Sequence, residues 1–235
     1  HRLLDSTTVP LLNSRGKVLS QDLFAPVALP PFRQSSVDGY ALNMGDDVIH
    51  SFQLLEGESA AGSASAIILK PGQVIRIFTG AALPEGADTV VMQEKTKVEQ
   101  SELFIDDPLI KIGSNVREKG SDLELNQLAL PKGTIMNPAA IGLAASLGIA
   151  EIPVHRSPIV TILITGNELQ QQGIPLTGSQ VYESNSWSLS AALQQSGVNT
   201  INIQRVPDQL EATITLLQNA LTSCDLILIT GGVSV

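Results

Sequence analysis

The second half of the chain has blocks of apolar and polar residues that predict strands and helices in alternation. Residues 159–164 form a nearly continuous apolar run, which is typical of a buried strand. Residues 186–195 and 208–222 repeat their apolar positions at helical spacing. Residues 199–205 and 226–229 predict two further strands. Strands and helices alternating at these lengths indicate a mostly parallel sheet covered by helices.

The first half has a different pattern, with short alternating runs separated by turns. Residues 73–78, 89–92 and 103–105 alternate apolar and polar positions, as half-buried strands do. Glycine and proline turns separate these runs, for example at residues 70–72. We therefore expect a β-rich inserted domain at residues 45–122, so that the fold class is α/β multidomain.

The remaining segments flank the β-rich region. Residues 2–42 contain four prolines, which break the chain into short pieces, and we expect connection there rather than core. Asn137 followed by Pro138 predicts the start of an alanine-rich helix that ends at Gly148. The predicted domains are a linking or dimerisation region at 1–44 and 123–155, the β-rich domain at 45–122, and an α/β domain at 156–235.

Composition limits the classes of partner. The net charge of −9 and the pI near 4.7 argue against a nucleic-acid surface, which needs a cationic face. A single cysteine allows no intrachain disulfide, and no apolar run is long enough to cross a bilayer. With no signal peptide recognised, we expect a soluble cytoplasmic protein without membrane contact. An anionic ligand would have to be held by backbone N–H groups, a helix N-terminus or a divalent cation.

Two glycine turns follow predicted strands, at the sheet edge where ligands bind in α/β folds. The sequence Thr165-Gly166-Asn167-Glu168-Leu169 follows the first strand, and Thr230-Gly231-Gly232-Val233-Ser234 follows the last one. Either turn is equally consistent with a purely structural role. Glu168 would repel an anion unless a divalent cation lies between them or it acts as a base, and it could instead start a helix. Residues 182–185 are similarly consistent with a helix N-cap.

Polar clusters also occur in the first half, at residues 34–41, 76–81 and 115–122. On physical grounds each is more typical of a tight turn than of a site. Within the third cluster, Arg117 and Asp122 are close enough in sequence to pair.

Together and in order, these segments resemble the successive motifs of the molybdopterin molybdenumtransferases, a family that includes the matching domain of gephyrin. The resemblance lies in their ordered set and covers nearly the whole chain, which we expect to be truncated at its C-terminus. Four positions depart from the family's usual residues: Val37, Ser121, Asn126 and Asn167, the last standing where Asp is usual. The matching segments are Ser36-Val37-Asp38-Gly39-Tyr40-Ala41, Arg76-Ile77-Phe78-Thr79-Gly80-Ala81 through Val91-Met92-Gln93-Glu94, Asn115-Val116-Arg117 with Gly120 and Asp122, Gly142 to Gly148, Thr165 to Leu169, Ser184-Asn185, and Thr230 to Val235.

The resemblance implies a Mg²⁺-dependent transferase that inserts molybdate into adenylylated molybdopterin (molybdopterin-AMP) and releases AMP. It implies a homodimer whose site lies between the β-rich domain of one subunit and the α/β domain of the other, working beside other molybdenum cofactor enzymes. Asp38, Asp122 and Glu168 would be catalytic, with Asp38 and Glu168 as metal ligands. The implied substrate contacts are Ser36, Thr79, Thr165, Gly166, Asn185, Gly231, Gly232 and Ser234.

Two alternatives come from other functional classes. Molybdopterin adenylyltransferases share the α/β half, but they would lack the segment Ser36 to Ala41 and the β-rich insertion. A non-catalytic molybdopterin-binding or scaffold protein of the same fold is the other alternative, and the retained carboxylates weigh against it. We expect the 235-residue chain itself to fold at least in part and to be inactive.

Overall fold

The computed structural model describes residues 4–45, 51–62, 67–207 and 209–231. In chain order the strands are β1 (Ser6–Pro10), β2 (Leu23–Phe24), β3 (Gln34–Ser35), β4 (Gly39–Leu42), β5 (Ser51–Ser59), β6 (Gln73–Ile77), β7 (Thr89–Met92), β8 (Thr96–Glu99), β9 (Glu102–Ile105), β10 (Val116–Arg117), β11 (Leu128–Leu130), β12 (Glu151–His155), β13 (Ile159–Thr165), β14 (Leu169–Gln170), β15 (Val181–Tyr182), β16 (Thr200–Val206) and β17 (Leu226–Thr230). The α-helices are α1 (Pro138–Ser146), α2 (Asn185–Gln195) and α3 (Leu210–Ser223), and 3-10 turns cover Leu11–Ser14 and Gln93–Lys95.

The chain forms two compact units. The β-rich unit comprises Leu23–Leu130 and Ser146–Gly148, and the α/β unit comprises His1–Asp22, Pro131–Ala145 and Ile149–Val235. A β-rich part and an α/β part are therefore both present, as the hydrophobic pattern predicts. The finer division into three parts stays a prediction.

The β-rich unit contains a six-stranded sheet in the order β7-β4-β6-β5-β9-β8. Its neighbouring strands are antiparallel except β5 and β6, which are parallel. Two groups of buried side chains cover this sheet, one around Ile75 and Ile77 and the other around Phe52 and Leu103. The three strands predicted from alternation, β6, β7 and β9, are confirmed with small changes at their ends.

Strand β4 corrects the expectation that residues 2–42 provide only connection. It lies inside the six-stranded sheet, and its residues Ala41 and Leu42 are fully buried. An Asp-Gly pair is typical of a turn, but here Gly39 is the first residue of β4. A Cβ at Gly39 would lie 1.9 Å from the carbonyl oxygen of Val91, so the missing side chain lets β4 approach β7.

Strands β2 and β11 pair at the boundary of the β-rich unit. Leu128 is opposite Phe24, and the backbone N–H of Ala25 donates to the carbonyl of Gln127 at 2.9 Å. The first and last residues of the long segment Leu23–Leu130 therefore lie side by side.

The α/β unit contains a parallel three-stranded sheet in the order β16-β13-β17. Val160, Ile162 and Ile164 of β13 are buried, and Leu189 and Leu193 of α2 pack against them. The predicted strands and helices of this region are confirmed, although residue 208, the predicted start of α3, lies outside the described residues.

Other contacts in the α/β unit fix the starts of its elements. The side-chain oxygen Oδ1 of Asn137 accepts a hydrogen bond from the N–H of Ala140 at 2.9 Å, which confirms the predicted start of α1. Asp225 accepts two hydrogen bonds from Arg156, at 2.6 and 2.7 Å, and a third from the backbone N–H of Ile159 at 2.8 Å. Within the described ranges, no helix is long and apolar enough to cross a membrane.

Candidate functional site

Asp38 and Thr79, two residues predicted for the site, are brought together in the β-rich unit. Asp38 precedes β4 and Thr79 follows β6, which is the neighbour of β4 in the sheet. Oδ1 of Asp38 accepts hydrogen bonds from the backbone N–H of Thr79 at 2.8 Å and from its hydroxyl at 2.6 Å. These bonds, the hydroxyl first, hold the pKa of Asp38 below its ordinary value, and the charge of Arg76 acts in the same direction. Asp38 therefore stays ionised at lower pH than an ordinary aspartate does.

Arg76, to which the sequence analysis assigned no role, lies beside this pair. Its guanidinium is 5.0 Å from the ring centroid of Tyr40 and 5.2 Å from that of Phe78. Arg76 also donates to the side-chain oxygen of Gln93, whose amide nitrogen donates to Glu94 at 3.0 Å. The signal for this cluster is non-local, because Tyr40 is opposite Arg76 only once β4 pairs with β6.

The bond from Gln93 is the main cause that lowers the pKa of Glu94. Arg76 lowers the pKa of Glu94 further, whereas the nearby charge of Asp38 opposes the shift. The exposed face of the unit thus holds two ionised carboxylates with one guanidinium close to both.

Two other predicted residues of the β-rich unit have partners of their own. The hydroxyl of Ser36 donates to the carbonyl of Asn115 at 3.0 Å. Asp122 forms an ion pair with Arg117, which confirms the pairing expected from the sequence. The charge of Asp122 is therefore partly neutralised within the chain, unlike an isolated carboxylate.

The two glycine turns of the α/β unit lie at the carboxyl ends of neighbouring parallel strands. Thr165 ends β13 and Thr230 ends β17, and the Thr165 hydroxyl donates to the Thr230 carbonyl at 3.3 Å. Gly231 has a φ of +94°, and a Cβ there would lie only 2.3 Å from the carbonyl oxygen of Thr165. Only glycine satisfies both the backbone conformation and the close approach at this position.

Glu168 is located at the first of these turns. A Cβ at Gly166 would lie 2.7 Å from Oε1 of Glu168, so this exposed carboxylate lies directly over the glycine. The alternative that Glu168 starts a helix is wrong, because it precedes the short strand β14. The residues after Glu168 form a strand because Leu169 and Gln170 pair with Val181 and Tyr182.

A cavity of about 320 Å³ opens at the carboxyl ends of β13 and β16. Predicted residue Gly166 lines it, together with Asn167, whose amide can donate or accept hydrogen bonds. Arg205, which the sequence analysis did not single out, also lines it and supplies a positive charge. The lining residues are Ile164, Gly166, Asn167, Leu169, Arg205, Val206 and Pro207.

Asn185 is exposed at the first residue of α2. Glu183, a buried residue two positions before Asn185, hydrogen-bonds to the first turn of this helix. Its carboxylate accepts hydrogen bonds from the backbone N–H of Ser186 at 2.8 Å and from the Ser186 hydroxyl at 2.6 Å. The segment therefore precedes a helix as expected, but the helix begins at Asn185, and Glu183 rather than the N-cap residue Ser184 accepts the side-chain bonds. Gly232 and Ser234 lie outside the described residues.

No group of three or more His, Cys, Asp or Glu side chains is arranged to hold a metal ion in the part of the chain that the structure describes. Mg²⁺ commonly uses only one or two carboxylates, with water and substrate phosphate completing its shell. The exposed carboxylates of Asp38 and Glu168, each in its own unit, have the oxygen chemistry that such a shell needs.

Residues 2–148 match the family described as the MoeA N-terminal region, domains I and II. This match covers more than half of the chain. The chain belongs to the MoeA family. Residues 161–235 match a second description, a probable molybdopterin binding domain, so the resemblance noted from the ordered motifs is confirmed.

Curated relatives are similar to this chain along almost all of its length. Molybdopterin molybdenumtransferase 2 of Mycobacterium tuberculosis is 36% identical over 232 residues, which is 97% of this chain and 57% of the relative. Molybdopterin molybdenumtransferase of Haemophilus influenzae is 31% identical over 225 residues, which is 96% of this chain and 56% of the relative. The chain therefore spans less than two thirds of these relatives.

Solved structures support the same fold. A molybdopterin biosynthesis MoeA protein from Pyrococcus horikoshii has a TM-score of 0.87 and 30% identity, and the match covers 98% of this chain and 62% of that one. A second structure of a MoeA protein from that organism has a TM-score of 0.84 and 29% identity, covering 97% and 59%. The combination of a β-rich part and an α/β part is thus a property that this chain shares with MoeA proteins.

Proposed function

We propose that the full-length protein containing this chain is a molybdopterin molybdenumtransferase. It would insert molybdate into adenylylated molybdopterin in a Mg²⁺-dependent reaction and release AMP. The observation that carries the proposal is the cavity at the carboxyl ends of β13 and β16. This cavity lies in the region that matches a probable molybdopterin binding domain, at the sheet edge where α/β folds bind ligands.

The residues of the α/β unit would bind the pterin nucleotide. The turns at Gly166 and Gly231 bring the backbone close to a ligand, and the hydroxyl oxygen of Thr165 is at the same edge. Asn185 and the residues Gly232 and Ser234 belong to this proposed contact set by resemblance.

The carboxylates would bind the cation that offsets the negative charge of the substrate. Asp38 is ionised, and its Oδ1 already accepts both hydrogen bonds from Thr79, so it is suited to accept a cation or a donor rather than to donate a proton at neutral pH. Asp38 and Glu168 are each proposed, within their own unit, as a carboxylate ligand for Mg²⁺, and Asp122, Ser36 and Thr79 complete the proposed set. When bound, Mg²⁺ supplies positive charge to phosphate oxygens that an acidic protein would otherwise repel.

Asp38→Ala in the full-length protein tests the central role of this carboxylate. We expect loss of cofactor formation and of AMP release, with a modest drop in the melting temperature from the lost hydrogen bonds to Thr79. Glu99→Gln, an exposed carboxylate on β8 that pairs with Lys97, is the matched control and should keep full activity. A large drop in melting temperature with normal activity in the folded fraction would show that Asp38 is structural.

Glu168→Gln tests the metal role separately. We expect it to reduce Mg²⁺-dependent activity much more than it reduces binding of the metal-free pterin nucleotide, because a carboxylate facing phosphate repels it without a cation. Equal losses in both measurements would argue against metal binding at Glu168.

A homodimer, contact with other molybdenum cofactor enzymes and a cytoplasmic location are further parts of the proposal. Light scattering of the purified full-length protein tests the dimer. A monomer at micromolar concentration would contradict it.

A further inference from the structure

Arg205 is the one lysine or arginine in residues 157–235. The same stretch contains five acidic residues, Glu168, Glu183, Asp208, Glu211 and Asp225, and the chain as a whole carries a net charge of −9. This single cation lines the cavity of about 320 Å³ at the strand ends. Arg205 therefore lies at the cavity where the proposed function requires an anionic substrate to bind.

Arg205 is the last residue but one of β16, and it lines this cavity together with Val206 and Pro207. Side chains alternate between the two faces of a strand, so Arg205 shares a face of β16 with Ile203, and Gln204 is on the opposite face. The cavity wall beside Arg205 is apolar at Ile164 and Leu169, and polar at the amide of Asn167. An apolar wall with a few polar groups is the usual composition of a ligand pocket.

Arg205 is also available for a ligand. Arg33, Arg117 and Arg156 pair with carboxylates, whereas Arg205 forms no ion pair within residues 4–45, 51–62, 67–207 and 209–231. Its side chain is exposed, so binding a ligand does not require breaking a described ion pair.

We propose that Arg205 binds the phosphate ester of the ligand held in this cavity. A guanidinium presents parallel N–H donors that match two phosphate oxygens, and its charge offsets the repulsion from Glu168 and from the acidic chain. This proposal rests on the proposed function, because it takes the phosphate end of that substrate as the bound group. Arg205 thereby becomes a specificity residue that distinguishes a phosphorylated pterin nucleotide from a neutral pterin.

The test is calorimetric binding of AMP, a phosphate monoester, to the full-length protein. We expect Arg205→Gln to raise the Kd for AMP by about tenfold or more, since a charge-assisted bidentate contact is lost. Arg205→Lys should give a smaller increase, because the charge remains and the fork geometry does not. Gln204→Ala, on the opposite face of β16, is the matched control and should bind AMP as the wild type does.

Inorganic phosphate and molybdate are the two comparison ligands. Weaker binding of AMP and phosphate by Arg205→Gln supports the proposal, whereas unchanged AMP binding with weaker molybdate binding overturns it. The Kd of the wild type should rise more steeply with salt than that of Arg205→Gln. If Arg205→Gln fails to fold, the test uses Arg205→Lys instead. An Arg205→Lys protein that binds AMP with the affinity and the salt dependence of the wild type would contradict the bidentate contact.

Cofactor formation is measured on the same proteins to keep the two proposals apart. If the wild type binds AMP through Arg205 but makes no molybdenum cofactor, the transferase function fails and the role of Arg205 stands. If cofactor forms and Arg205→Gln binds AMP normally, the role of Arg205 fails and the transferase function stands.

Discussion

At the residue scale, the hydrogen bonds that Thr79 donates lower the pKa of the Asp38 carboxyl group. Both donors of Thr79 converge on one carboxylate oxygen, and the two residues are 41 positions apart in sequence. The lowering of the pKa of Asp38 therefore depends on the sheet that brings β4 beside β6.

Thr79→Val should raise the pKa of Asp38 toward its ordinary value of 3.8, because the hydroxyl bond is the largest cause of the shift. The folded-state pKa lies below the unfolded value, so the contribution to stability is present above about pH 4 and is lost as the pH falls through the lowered pKa. The difference in unfolding free energy between wild type and variant should then shrink in acid. Carbon NMR titration of Asp38 and chemical denaturation across this range measure both effects.

Thr79→Ser is the control for this experiment. It keeps the hydroxyl donor and should leave the pKa of Asp38 close to that of the wild type. An Asp38 pKa that is unchanged in Thr79→Val would contradict the assignment of the hydroxyl bond as its main cause.

Gly231→Ala should destabilise the α/β unit, because the new Cβ would collide with the carbonyl oxygen of Thr165. The backbone strain of a positive φ adds about 1–2 kcal/mol to the cost of this collision. Gly197→Ala is the matched control, since Gly197 has a φ of +86° and open space around it. Equal losses of melting temperature in the two variants would show that the close approach at Gly231 has no energetic role.

At the element scale, the sequence predicts long periodic segments well and short non-local ones poorly. Helices α2 and α3 are confirmed because their apolar positions recur at helical spacing, and strand β13 because its apolar run is nearly continuous. Strand β4 was missed because it is only four residues long and begins at the glycine of an Asp-Gly pair, and because its burial depends on β6 and β7 on either side. Arg205 was missed because the cavity exists only after β16 aligns with β13.

Helix α1 provides a test of local capping. Asn137→Ala removes the bond to the N–H of Ala140 and should lower the unfolding free energy by about 1 kcal/mol. Asn137→Ser restores an acceptor oxygen and should recover most of this loss, as thermal denaturation of the three proteins would measure. If both variants lose stability equally, the cap contributes little and the asparagine is required for another reason.

At the scale of the whole molecule, the β-rich unit contains its own buried clusters. The residues of both clusters lie between Leu23 and Leu130, and a segment of this length is typical of an independent domain. We therefore expect a fragment of residues 23–130 to fold alone. Circular dichroism should show one cooperative thermal transition.

Phe52→Ala in the same fragment is the internal check. Phe52 is almost fully buried, so its truncation should cost about 3–5 kcal/mol and lower the transition strongly. A fragment that melts gradually, or one that is insensitive to Phe52→Ala, would contradict an independent fold.

The adjacent ends of this segment have a consequence for how such proteins evolve. In the α/β unit, the backbone N–H of Lys132 donates to the side chain of Asp22 at 2.7 Å, so the host chain nearly closes on itself where the segment leaves and returns. A short loop could join these two points, because Asp22 and Lys132 are already in hydrogen-bond contact. Ancestral chains could therefore have acquired, exchanged or enlarged the whole module in one genetic step. The same junction is where a circular permutation or a grafted reporter domain should be tolerated.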